Sequence, residues 1–90
     1  MKIRQSNGYL KIDVLGFSVL YSSGVPLALL DKNRGEFKIS DYSRTRDGRR
    51  DLERFKRENR KFFSSNNVVI RSVDRVSLSD EILRIGGERE

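Results

Sequence analysis

The 90-residue chain predicts an α+β fold: an antiparallel sheet of four to six strands in a meander, with one main basic amphipathic helix packed on one face. Three observations predict it. Apolar residues recur at a spacing of two as far as Ile39; from Arg44 to Phe63 the period moves to three and four; and the basic residues gather in that second stretch.

Asn7-Gly8 marks a hairpin turn between Lys2-Ser6 and Tyr9-Val14, because a type I′ turn needs positive φ at both central residues. Leu10, Ile12 and Val14 then share one face, with Tyr9, Lys11 and Asp13 on the other. Leu15-Gly16 reads as a bulge or bend, after which Phe17, Val19 and Tyr21 form a third strand ending at Ser22-Ser23-Gly24. Val25, Leu27 and Leu29 continue the alternation, with Pro26 near the strand start, where a missing N–H does least harm. Asp31 to Gly35 is a loop of turn formers, and Phe37 with Ile39 marks a short returning strand.

The helix runs from Arg44 to Phe63, with Ser43 or Thr45 as its cap and Asp47 and Asp51 near its positive end. Gly48 weakens the first turn, so the regular part is expected from Arg49. Leu52, Phe55, Asn59 and Phe62 make the stripe that meets the sheet, and Arg50, Arg54, Arg57 and Lys61 make another. Ser64 to Asn67 ends the helix and Val68-Val73 is a last strand. Ser79-Asp80-Glu81 opens a short C-terminal helical turn that Gly86-Gly87 closes. Residues 1–87 are read as one domain and 88–90 as a frayed end.

Composition narrows the function classes. Without Cys or His there is no thiolate nucleophile, disulfide, imidazole acid–base chemistry or common zinc set, so neither catalysis nor a cofactor is expected. Asp41 and Asp47 are the carboxylates best placed to hold a magnesium ion, but carboxylates beside arginines are ordinarily ion-pair partners. The longest apolar run, Leu27 to Leu30, is far short of the ~20 residues a membrane helix needs, so a cytoplasmic setting is expected.

The net charge is +6. Arg44 to Lys61 carries nine basic and four acidic residues, so nearly all of the excess belongs to one element. A guanidinium matches phosphate oxygens, which makes Arg44, Arg46, Arg49, Arg50, Arg54, Arg57 and Lys61 candidate nucleic-acid contacts, with Ser43 and Thr45 as hydroxyl donors at the loop-to-helix junction. Asn59 is the segment's single amide and sits on the core stripe, so backbone binding is better supported than base reading. The competing reading is a solvated face laced by Asp47–Arg50, Asp51–Arg54 and Glu53–Arg57 pairs, each worth about 0.3–0.5 kcal/mol. Tyr9 and Tyr42 are the aromatics expected to be free for base stacking, with Phe17, Tyr21 and Phe37 in the core. A second partner reading is a protein-interaction module or a homodimer formed by exposed strands.

Val25-Pro26-Leu27-Ala28-Leu29, followed by Tyr42-Ser43-Arg44-Thr45 and Leu52, resembles short uncharacterised proteins encoded by archaeal viruses and plasmids. The resemblance spans Phe17 to Ile85 and implies a mobile-element context in a host cytoplasm, with no known activity. The chain departs from that pattern at Arg46-Asp47 and Arg49-Arg50, where those proteins carry a second Thr and a His.

Overall fold

The computed structural model describes residues 1–87, so the expected fraying of 88–90 lies outside the described residues. Six strands form one sheet in sequence order: β1 (Lys2–Ser6), β2 (Tyr9–Val14), β3 (Phe17–Ser22), β4 (Val25–Asp31), β5 (Glu36–Ser40) and β6 (Val69–Val73). The first five are antiparallel neighbours. β6 lies parallel to β5, with Phe37 opposite Ile70.

Short turns produce the meander. Asn7-Gly8, Leu15-Gly16 and Ser23-Gly24 all adopt positive φ at both residues, the conformation that matches the strands' own twist. Leu15-Gly16 is therefore a hairpin turn and not a bulge. The irregularity falls in β4 instead: Leu20 lies opposite Ala28 and Tyr21 opposite Pro26, so Leu27 is an extra residue. Leu27, Ala28 and Leu30 are buried in the core on one face and Leu29 in the core on the other. A central strand covered on both faces has no solvent side for polar residues.

A 3-10 turn (Asp41–Arg44) leads into α1 (Arg46–Glu58), α2 (Arg60–Ser65) and, after β6, α3 (Arg75–Gly87). The expected Arg44-to-Phe63 helix is thus interrupted at Asn59, whose φ of −110° and ψ of 23° depart from helical values. The start differs too. Thr45 caps α1 by accepting from the Gly48 N–H at 3.0 Å, which brings Gly48 inside the helix, where only glycine fits because a Cβ would lie 2.0 Å from the Tyr42 carbonyl oxygen. The C-terminal helix begins upstream of Ser79 because Asp74 accepts from the Ser77 N–H (2.8 Å) and hydroxyl (3.0 Å), fixing a cap just before Arg75.

α1 and α2 cover one face of the sheet and α3 the other. Tyr9, Leu20, Leu27, Leu30, Phe37, Leu52 and Phe55 form the first core, with Phe37 and Phe55 stacked at 5.7 Å between ring centroids. Val19, Leu29 and Leu78 form the second, flanked by Ile12, Phe17, Tyr21 and Ile82. None of the described helices is long and apolar enough to cross a membrane.

Candidate nucleic-acid interface

The charge on α1 is sorted by what its inner face meets. Asp51 and Glu58 share a stripe with Phe55, and their carboxylates reach Ser22 of β3 and Tyr9 of β2. Asp51 is buried and accepts from the Ser22 hydroxyl at 2.6 Å. Glu58 accepts from the Tyr9 hydroxyl at 2.5 Å and meets Arg54 at 3.4 Å and Arg4 at 3.5 Å. Two of the four carboxylates in the basic segment are thereby committed inward, which leaves the outward side dominated by cations.

Arg46, Arg49, Arg50, Glu53 and Arg57 occupy that outward side and are exposed. Arg50 reaches Asp47 at 3.5 Å and Asp51 at 3.4 Å, so the expected Asp47–Arg50 pair forms. The expected Asp51–Arg54 and Glu53–Arg57 pairs do not. Asp51 is held by Ser22, and Arg54 instead bonds Glu58 while its guanidinium lies 4.0 Å from the centre of the Tyr9 ring. Among the described residues Arg46, Arg49, Arg57, Arg60 and Lys61 make no ion pair.

Arg50, Arg54 and Arg57 line one recess of about 400 Å³ together with Asp51 and with Ser6 and Asn7 of the β1–β2 turn. Asp51 is the only acidic side chain among these lining residues, and its carboxylate already serves Ser22 and Arg50. Lys61 and Arg57 line a neighbouring recess with Arg60, beyond the interruption at Asn59. Arg50, Arg54 and Arg57 of the second sequence stripe thus line one recess, and Lys61, beyond the change of helix, lines another.

The loop-to-helix junction is arranged differently from the expectation. The Thr45 hydroxyl donates to the Tyr42 carbonyl at 2.7 Å while capping Gly48, so it is fully occupied. Ser43 and Arg44 line a separate groove of about 500 Å³ whose other residues include Asp41 and Asp74. Arg75 neutralises Asp41 and Asp74 offsets Arg44, so this junction carries less net positive charge than the α1 recess, where three arginines face one carboxylate. Arg75 pairs with Asp41 at 2.9 Å, and Asp47 serves Arg50. Among the described residues no three His, Cys, Asp or Glu side chains gather as a metal site.

The aromatic expectation is corrected at Tyr9, which is 1% exposed beneath α1 and unavailable for stacking on a base. Tyr42 is half-buried against the core, with the Arg75 guanidinium 5.3 Å from its ring centre. Asn59 is buried and donates its amide to the Phe55 carbonyl at 2.9 Å, which removes the segment's one base-reading amide from the surface.

Electrostatics follows from these contacts. Burial and the hydrogen bond to Glu58 push the Tyr9 hydroxyl well above its ordinary pKa. Burial also pushes the Glu58 carboxyl up, but the Tyr9 hydrogen bond and the Lys11 and Arg54 charges outweigh it and leave Glu58 below its ordinary value. Tyr9, expected at the surface as a stacking aromatic, instead holds Glu58 from beneath the helix, and the 51–55–58 spacing is the signal that could have found the inward carboxylates. Comparison with family models, curated proteins and solved structures finds no match.

Proposed function

We propose that the protein is a non-enzymatic nucleic-acid-binding protein that grips the phosphate backbone through the outward side of α1. The convergence of Arg50, Arg54 and Arg57 on one recess beside Ser6 and Asn7 carries this reading. Guanidinium groups match phosphate oxygens in pairs, and exposed Arg46 and Arg49 extend the positive surface along the helix. With Asn59 turned inward, affinity rests on charge, and recognition is of backbone and not of base sequence. The archaeal virus and plasmid resemblance supplies the setting, a mobile element acting in the host cytoplasm.

The test is a fluorescence-anisotropy titration against labelled duplex DNA, single-stranded DNA and RNA over a range of salt. Binding is expected to weaken linearly in log–log form. In Arg50→Ala/Arg57→Ala the slope is expected to shrink by up to about 2, since each neutralised phosphate contributes about 0.9. Equal affinity and slope in the double variant would overturn the proposal.

A further inference from the structure

The second feature is the outer edge of the sheet beside α2. β6 is an edge strand with β5 on one side and, among the described residues, no strand on the other, and Val69 and Ile70 are 53% and 59% exposed on it. Above this edge lies a groove of about 410 Å³ lined by Lys56, Arg60, Phe63, Ser64 and Ile70. Its floor and wall are apolar, supplied by Ile70 and Phe63, and its rim carries two cations that make no ion pair among the described residues. Phe63 is held in place by an edge-on contact with Phe37 at 5.1 Å, so the wall is anchored in the core.

We propose that this groove docks an extended acidic peptide segment of a partner protein, which adds as a strand to β6. A strand lying along an open edge gains backbone hydrogen bonds, while every second side chain points to the same face. Along β6 such a peptide places an apolar side chain between Ile70 and Phe63 and, on the same face two positions away, acidic side chains within reach of Lys56 and Arg60. Charge complementarity selects this occupant over a second copy of the chain, since pairing β6 with itself brings two Lys56, Arg60 sets together on a protein of net charge +6. It is also favoured over nucleic acid, which has no backbone amides to satisfy a strand edge. This surface goes beyond the α1 arginine face and does not depend on it.

The probe is a short labelled peptide whose one face alternates glutamate and valine at every second position, with threonine on the other face, compared with an analogue of identical charge whose backbone nitrogens are methylated on the pairing edge, and with a counterpart in which lysine replaces glutamate. Anisotropy is expected to show binding of the first peptide alone. It is expected to weaken at least about tenfold in Ile70→Asp and in Lys56→Glu/Arg60→Glu, and to persist in Arg46→Ala/Arg49→Ala. Ile70 is exposed, so Ile70→Asp keeps the fold, which far-ultraviolet circular dichroism checks. In amide-exchange spectra the peptide is expected to protect Val69–Val73. Equal binding of the methylated analogue, displacement from the groove by single-stranded DNA, self-association abolished by Ile70→Asp, or no peptide binding at all would each overturn the proposal.

Discussion

Gly48 shows how one residue can reverse a general rule. Within a helix, alanine ordinarily stabilises by about 0.5–1 kcal/mol over glycine. Here a Cβ would meet the Tyr42 carbonyl oxygen at 2.0 Å, and that carbonyl also accepts from the Thr45 hydroxyl, so it cannot withdraw without weakening the cap. Gly48→Ala is expected to cost about 1–3 kcal/mol in urea unfolding, as overpacking does, and a gain in stability would contradict the packing described. Tyr9 and Glu58 give the corresponding electrostatic prediction. Tyr9's pKa is raised in the folded state, so its contribution is present below the ordinary tyrosine value of about 10 and is lost as pH rises above it. Glu58's is lowered, so its contribution is present above the ordinary value near 4.3 and is lost as pH falls through the lowered folded value. Denaturant unfolding across pH is expected to show both limbs, with Tyr9→Phe flattening the alkaline one and Glu58→Gln part of the acid one. Unchanged limbs in these variants would show that the pair does not govern the pH response.

At the scale of elements, the hairpins were legible wherever the turn chemistry was ordinary. Asn7-Gly8 announced itself, whereas Leu15-Gly16 did not, because leucine is a poor residue for positive φ and its value of 42° is imposed by the strands it joins. Leu15 is 72% exposed, so no packing offsets the strain, and Leu15→Asn is expected to raise stability by about 1 kcal/mol in thermal or urea unfolding. A loss would mean that the leucine side chain contributes something the turn geometry does not. The main helix was legible by period; of its expected core stripe Leu52, Phe55 and Asn59 are buried, and Phe62, beyond the interruption, is half-buried against the same core. Its interruption was not legible, since it arises from one non-helical backbone conformation at Asn59 and not from a proline or glycine. The length of α3 was equally hidden, because the side chain that caps it, Asp74, sits before a stretch whose periodicity is weak.

For the molecule as a whole, the fold class followed from the shift in period, but the layering did not. One helix on one face was the expectation, and α3 covers the other face over Val19 and Leu29. The signal was present in the four consecutive buried residues Leu27 to Leu30, which need apolar cover on both sides. The site divides similarly. Charge density pointed to α1, where Arg50, Arg54 and Arg57 line one recess. Thr45 was one of two caps the sequence offered; what it could not show is that Asp41 and Asp74 share a groove with Arg44, and that Tyr9 lies beneath the helix drawing Glu58 inward.

The central claim is that phosphates are held by the outward side of α1, and the most direct measurement is a ¹H–¹⁵N correlation titration of the intact protein with a short DNA duplex at low salt. The largest resonance changes are expected on the Arg46, Arg49, Arg50 and Arg57 amides and guanidinium groups and on the Ser6-Asn7 turn, fading as salt is raised. Changes confined to β6 or α3, or none at the protein concentrations used, would contradict it.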